Sequence, residues 1–468
     1  MGFDLQFFSA TGQVTGSLYV IRCGSHTVLL ECGLRQGSAE NEGHNRDPFP
    51  FAVQDIDAVV LSHAHIDHSG RVPLLVNRGY EGPVFVQNAT GALCEIMLPD
   101  SGYINEKDAE WENRKRSGTG KAAVQPLYTR AEAEKCLEQF VGVRYREPIV
   151  VVPDLTLVFH DAGHILGSAI VELIYTGDND RRTLVFSGDL GYRDAPVMGE
   201  PEIIECADLV LLESTYGDRL HRPITETMQE LTEIFAAASA THGNILIPAF
   251  TVGRTQDLLF LMAENYERWN LDAWHVFLDS PMAIDATKAY SDFSHLHGAS
   301  LFSSYSGLLN LPNFHATRSS EESMEINDIG SGAIVIAGSG MCSGGRIRHH
   351  LKNNIWRPEC HLIVVGYQAI GTPGRRIVDG AETVKLWGDD YRVRIQVHTV
   401  GGLSAHADQA DLIAWYAAFK SKPPVYLVHG EREVQRALAD KMKNELAAPV
   451  SIAEYLQKVK IESHVGRA

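Results

Sequence analysis

The sequence predicts an α/β protein of two domains, one interrupting the other, and three observations predict it. Apolar strands in the first 215 residues, and again after residue 395, end in histidines or carboxylates. Residues 223–396 between them alternate strand-like and helix-like stretches, the pattern of a mainly parallel, helix-covered sheet. At 468 residues the chain is too long for one ordinary core.

Residues 4–31 cluster apolar side chains between the turn signals ATGQVTGS and RCGSH, which predicts antiparallel strands LQFFSA, SLYVIRC and TVLLE. Residues 32–52, rich in Gly, Asn and Pro, form a loop. DAVVLS predicts a buried strand ending at Ser62 and GRVPLLV the opening of a helix, so LSHAHIDHSG lies on a strand-to-helix loop. PVFVQN is the next strand, with Thr90 as N-cap of the helix after it. The charged run EKDAEWENRKRSGTGK reads as a solvated loop or lid, and TRAEAEKCLEQF as an amphipathic helix.

IVVVP, LTLVFH, AIVELIY and TLVFSGD return to strands, and ADLVLLESTYGD ends a further strand at Glu213. The second domain then brings helix TETMQELTEIFAAASA, strand NILIPAF, loop TVGR, a helix from Gln256, and strands HVFLD, AIVIAG and HLIVVG. RIQVHTV runs into GGLSAHADQADLIAWYAAF, where Asp408 caps a helix, and PPVYLVHGE places His429 at the end of an apolar strand.

Composition narrows the class. Hydrophobic residues at 44% and charged residues at 21% are those of a soluble globular protein. There is no run of eighteen apolar residues, and MGFDLQFFSA lacks a basic region before an apolar core; neither a membrane span nor a secretory signal is expected, and the cytoplasm is the expected compartment. Seven cysteines stand singly without a CxxC pair, which excludes a disulfide framework or a cysteine zinc site and predicts reduced, mostly buried thiols. A net charge of −18 does not by itself favour nucleic acid. From Gly338 to Arg376, however, six basic residues (Arg346, Arg348, Lys352, Arg357, Arg375, Arg376) face one acid, Glu359.

Within six positions stand His63, His65, Asp67 and His68. Imidazole nitrogen and carboxylate oxygen suit zinc and similar divalent ions. Alternate residues His63, His65 and Asp67 reach out from one extended edge, and His68 breaks the alternation, so the spacing predicts two adjacent metal sites on one loop. His164 in HDAGHILGS and Asp189 in FSGDLGY add ligand types at strand boundaries, and Glu213, His406 and His429 recur at later ones. In GSGMCSGGR, backbone amides near a helix start, with Ser339, Ser343, Gly344 and Arg346, offer a phosphate grip; Arg254 and Arg375 add contacts.

Together HAHIDHSG, His164 in DAGHILGS, Asp189 in FSGDLG, Glu213, His406 and His429 resemble the metallo-β-lactamase fold with a β-CASP insertion, a group of RNA-processing nucleases. The resemblance spans about residues 7–435 and takes in IPAFTVGRTQDLL, GSGMCSGGRIRHHL and GYQAIGTPGRRI. It implies a four-layer αββα domain over 1–212 and 395–468, with an α/β β-CASP domain inserted over 213–394. It also implies two zinc ions per chain, one on His63, His65 and His164, the other on Asp67, His68 and His429, with Asp189 bridging. The resemblance further implies that Glu213 and His406 form a separate, non-metal catalytic pair, with Asp67 counted among the catalytic groups as well. Where the family usually has aspartate after the third strand, LLECG has Glu31, which puts the orientation of the histidine loop in doubt.

The expected activity is hydrolysis of RNA phosphodiester bonds within the chain by a two-metal site holding a bridging hydroxide, with His406 as general acid. RNA is the expected partner, no membrane is involved, and a homodimer is compatible with the sequence. Alternatives are a DNA-directed β-CASP nuclease, whose members tend to have valine at the position of His429, a thioester or lactone hydrolase of the same fold, and a non-catalytic subunit that has lost its ligands.

Overall fold

A computed structural model describes residues 2–117, 120–177, 180–298, 311–366, 368, 369 and 371–463. Gly118 and Thr119 of the charged run, and Tyr367 and Ile370 of GYQAIGTPGRRI, lie outside the described residues. The chain divides into two compact units: Met1–Arg193, Glu200–Leu220 and His406–Ala468 form one, and Asp194–Gly199 and His221–Ala405 the other.

Two seven-stranded sheets build the first unit. One has the order Lys458–Lys460, Phe3–Phe7, Tyr19–Cys23, His26–Leu30, Ala58–Val60, Val84–Gln87, Phe140–Val143, with three antiparallel pairings followed by three parallel ones. The other has the order Val450–Ile452, Val425–Leu427, Leu209–Leu212, Arg182–Phe186, Ala169–Tyr175, Leu155–Asp161, Ile149–Val152, with three parallel pairings followed by three antiparallel ones. Phe3, Phe7, Tyr19 and Ile21 of one sheet share a core with Leu157, Phe159, Leu173 and Phe186 of the other. Tyr19 meets Phe186 edge-on at 5.6 Å.

Helices cover both outer faces. Gln409–Ala417 and Arg432–Leu446 bury Leu412, Tyr416, Leu438 and Met442 against Val185 and Val210 of the second sheet. Helix Asn88–Arg116 packs on strands Val84–Gln87 and Phe140–Val143 of the first, and helix Arg130–Cys136 packs on it in turn. The result is the expected four-layer αββα sandwich. It explains why strands such as Ala58–Val60 and Arg182–Phe186 are buried along their whole length: water reaches neither face.

The second unit holds a six-stranded, all-parallel sheet in the order Phe314–Ala316, His275–Leu278, Ala333–Ala337, Ile245–Pro248, His361–Val364, Gln396–Thr399. Leu246, Val335 and Leu362 from the sheet pack with Ile347 and Leu351 from helix Ile347–Asn354. A hairpin, Thr383–Leu386 with Asp389–Arg392, turns through Trp387 and Gly388, both at positive φ.

Several expectations are corrected. The N-cap of helix Asn88–Arg116 is Gln87, whose side chain accepts from Ala89 N. Thr90 lies inside the helix and donates to Gly167 O at 2.6 Å. Most of the charged run is no loop but the end of this 29-residue helix, extended into solvent by the Glu112–Arg116 pair and by Lys115 stacked 3.1 Å over Trp111. The domain limits also move. Strand Gln396–Thr399 pairs with His361–Val364, so the second unit continues past 394 to Ala405, and Glu213 belongs to the first unit. Six cysteines are buried, Cys206 is exposed, and all seven are free.

Candidate metal centre

Parallel strands deliver most of the site. Glu31 follows His26–Leu30, the histidine turn follows Ala58–Val60, Asp189 follows Arg182–Phe186, Glu213 follows Leu209–Leu212, and His429 follows Val425–Leu427. Parallel neighbours end on the same edge of a sheet, so segments distant in sequence present side chains together. His164 comes from the turn after Leu155–Asp161, and His406 is held to Gly191 by an isolated β-bridge.

The histidine turn is not one extended edge. The backbone is extended to His65, which opens a single helical turn, Ile66–Ser69, that turns Asp67 and His68 toward a second point. The turn requires Gly33, because a Cβ there would lie 1.6 Å from the carbonyl oxygen of Asp67.

Two donor sets result. In one, His65 Nδ1 lies 3.1 Å from His63 Nε2 and 3.3 Å from His164 Nε2, while Asp189 Oδ2 is 3.5 and 3.7 Å from the latter two. In the other, His429 Nε2 lies 3.1 Å from His68 Nε2 and 3.3 Å from Asp67 Oδ2. Asp189 Oδ2 is also 3.4 Å from His68 Nε2, which makes it common to both sets. A tetrahedral ion with bonds of about 2.1 Å holds its donors roughly 3.4 Å apart. Nitrogens that face each other at these separations, beside a buried Asp189 Oδ1 with no hydrogen-bond partner among the described residues, are what a cation would satisfy. The residues therefore fit a pair of divalent ions.

Protonation follows the same pattern. Burial, with the neighbouring His68, drives His63 well below its ordinary value, and burial takes His65 to about 4 despite Asp67. For Asp67 burial is outweighed by His68 and His429, leaving it at about 2. Neutral imidazoles and an ionised carboxylate are the forms a metal needs, and His68 is the exception: burial acts to lower it, but Asp189, Asp67 and Glu31 raise it well above its ordinary value, so an ion there would displace a proton.

Neighbours fix the rings. Glu31, fully buried, accepts from Ser62 N at 2.5 Å and from Ser62 Oγ at 3.0 Å, and its other contact is His68 Nδ1. With Nδ1 committed, His68 presents Nε2 to the donor set. Glu31 thus orients the histidine turn despite its extra methylene, its own backbone lying at φ 65°. Thr215 Oγ1, 3.1 Å from His429 Nδ1, plays the corresponding part for His429. Sequence reasoning missed Thr215; its only signal was a hydroxyl two residues beyond Glu213.

His406 stands beside the donor sets. Its Nδ1 is 3.4 Å from Glu213 Oε1, and its ring is 4.4 Å from that of His164. Backbone N–H groups of Leu190 and Thr215 anchor the buried Glu213 carboxylate at 2.9 and 3.1 Å. Burial lowers the pKa of His406, but Glu213, then Asp189 and Asp67, raise it more, to about 8. The sign follows: protonated His406 is favoured below that value and lost as pH rises through it. In metal-free protein the His406 ring should titrate near 8 by NMR, and Glu213→Gln should move that midpoint down; an unmoved midpoint would remove Glu213 as its partner.

With this geometry in hand, comparison with known families matches residues 26–245 to a beta-lactamase superfamily domain, 255–377 to a Beta-Casp domain and 390–453 to a Zn-dependent metallo-hydrolase RNA specificity domain. A ribonuclease of Thermus thermophilus is 36% identical over 457 residues, which cover 97% of this chain and 99% of that protein. The chain belongs to the β-CASP family of metallo-β-lactamase-fold hydrolases. A transcription termination factor of Methanocaldococcus jannaschii is 27% identical over 98% of this chain and 72% of its own length. A protein of unknown function from Enterococcus faecalis shares the fold, at 14% identity and a TM-score of 0.57 over 98% of this chain and all of that one.

In this β-CASP hydrolase the expected phosphate grip is largely occupied. Arg346 Nη1 donates to the fully buried Asp279 at 2.7 Å, and Nη2 donates to Arg318 O at 2.7 Å. Asp279 also takes Thr317, Ser323 and His350, each at 2.6 Å. Arg346 is therefore tied into its own unit, its side chain 21% exposed. Gly344 N donates to Ser339 Oγ at 3.1 Å, closing that loop on itself, whereas Ser343 is exposed. Arg254 lies 3.6 Å from Asp257 and is mostly buried; Arg375, 40% exposed, pairs with Asp379 at 2.9 Å.

These environments predict opposite outcomes for two arginines. Arg346→Ala should destabilise the protein by roughly 3 kcal/mol, because it strips a cation from a buried carboxylate. Arg375→Ala should shift stability by less than about 0.5 kcal/mol. Urea melts followed by fluorescence compare them, and equal midpoints would show that the Asp279 network does not need Arg346.

Proposed function

We propose that the protein is a zinc-dependent ribonuclease that hydrolyses RNA phosphodiester bonds within the chain, using two zinc ions. The observation that carries this reading is the pair of facing donor sets that share Asp189, with His406 and Glu213 beside them. Zinc bound there would supply an activated water at neutral pH and neutralise charge on a phosphoryl oxygen. His63, His65 and His164 would hold one ion, and Asp67, His68 and His429 the other. His406, kept protonated by Glu213, would give its proton to the leaving oxygen.

RNA as substrate is supported by the name of the Thermus thermophilus relative and by the RNA specificity domain matched over 390–453. A DNA-directed activity is disfavoured by His429, which completes the second donor set. Among the described residues no helix is long and apolar enough to cross a membrane. Ser343 and Arg375 remain the proposed substrate contacts on the second unit; Arg375→Ala should raise KM for RNA more than it lowers kcat.

The test is incubation of metal-loaded protein with end-labelled and internally labelled RNA and single-stranded DNA. Internal fragments from RNA alone are expected. Only mononucleotides from one end would overturn cleavage within the chain, and preferential loss of DNA would overturn the choice of substrate. Metal analysis giving fewer than two zinc equivalents per chain would count against the paired site.

A further inference from the structure

One cavity, of about 490 Å³, belongs wholly to the first unit and has none of the metal-centre side chains in its lining. Two arginines line it. Arg71 is only 4% exposed, donates Nε to Gly33 O at 2.8 Å and lies over the Phe49 ring, while its buried Nη2 has no hydrogen-bond partner among the described residues. Arg35 Nε is likewise buried and unpaired. Neither guanidinium forms an ion pair among the described residues. The acid in the lining, Asp47, is an exposed carboxylate bonded to His44 at 2.8 Å.

A guanidinium cannot shed its proton, and burying one without an anion costs far more than its remaining contacts return. Arg71 is such a group, and with half-buried Arg35 in the same cavity the pair calls for a ligand that carries negative charge and several acceptor oxygens, the description of a phosphate. The cavity is also far larger than a phosphate, within the roughly 300–1,000 Å³ of small-molecule sites. Its remaining walls include Phe8, Leu18, Pro48, Pro50 and the half-exposed ring of Tyr455.

We propose that this cavity binds a nucleotide, its phosphate on Arg35 and Arg71 and its sugar and base against Leu18 and Tyr455. The choice of a nucleotide over another organic phosphate rests on the ribonuclease reading; the unpaired arginines do not. A free nucleotide and one residue of an RNA strand offer the same chemistry.

Binding to metal-loaded protein is measured with inorganic phosphate, AMP and a cleavage-resistant 2′-O-methyl oligoribonucleotide. AMP, the oligonucleotide or both should bind more tightly than phosphate, and Arg35→Ala should weaken that binding about tenfold or more, the worth of a charge-assisted contact. Tyr455→Ala should weaken it less. Hydrolysis of bis(p-nitrophenyl) phosphate should be unchanged in both variants. Loss with AMP alone identifies a free nucleotide, and loss with the oligonucleotide alone a strand residue. Arg71→Lys, verified as folded by circular dichroism, should repeat the effect of Arg35→Ala. Binding of both ligands that is untouched by Arg35→Ala, or a matching loss of diester hydrolysis, would overturn the site. Arginine-dependent AMP binding in a protein that leaves RNA intact would sustain the site and refute the ribonuclease reading.

Discussion

His406→Ala is expected to keep its full complement of metal and to lose roughly 10²–10⁴-fold in kcat on RNA, the usual contribution of a positioned acid or base. Metal should stay because His406 is outside both donor sets; its Nδ1 faces Glu213 at 3.4 Å and is 3.9 Å from Asp189. RNA has a poor leaving group that must be protonated as the bond breaks. Bis(p-nitrophenyl) phosphate has one that leaves without a proton, so its hydrolysis should slow far less. The contrast between substrates is the decisive measurement. A variant that loses zinc, or slows both substrates by the same factor, would make His406 a ligand or a packing residue. Glu213→Gln should show the same contrast in weaker form, because it alters the imidazole's proton affinity and leaves the ring in place.

Asp189→Asn should act on both substrates together and through the metal. Its Oδ2 lies within 3.7 Å of ring nitrogens of His63, His68 and His164, and the carboxylate is only 2% exposed. Changing an outer partner of a ligand typically costs about 10–100-fold in metal affinity, and a donor shared by two sets should cost more. The amide is neutral, and its nitrogen offers no lone pair to a cation. Zinc retained after dialysis should fall below that of the parent, with activity on RNA and on the activated diester falling in parallel. Unchanged zinc with full activity would remove Asp189 from its shared position.

The metal-free protein should also show the pairing in its acid response. His63, His68 and His429 hold Asp189 well below the ordinary carboxylate range, although burial acts the other way. A depressed carboxylate contributes stability above its unfolded value that is lost as pH falls through the folded one. Asp189→Asn should therefore narrow the stability difference between neutral and acidic pH, read from urea midpoints of metal-stripped protein.

Ligand identity was legible in the sequence because it depends on residue type at strand ends. Seven donors on four segments (His63, His65, Asp67 and His68 on one, then His164, Asp189 and His429) could be named from apolar runs followed by histidine or carboxylate, and the structure brings them together. The parallel sheet of the second unit was legible for the same reason, since continuous apolar runs mark strands covered on both faces. Helix ends were less so: Thr90 looks like a cap only until Gln87 is seen to bond Ala89, and the charged run looks like a loop until its i,i+4 pairs are placed on a helix.

What the sequence by itself determined is thus the chemistry: which nitrogens and oxygens are available, near which strands, and that one domain interrupts another. Tertiary structure alone decided which of them meet. The turn at Ile66–Ser69 parts the histidine cluster into two sets, Glu31 and Thr215 choose the ring nitrogens, and Asp279 ties Arg346 into the second unit. The physical reason is that hydrogen bonds and ion pairs between residues tens to hundreds of positions apart depend on packing, and local pattern holds no record of them.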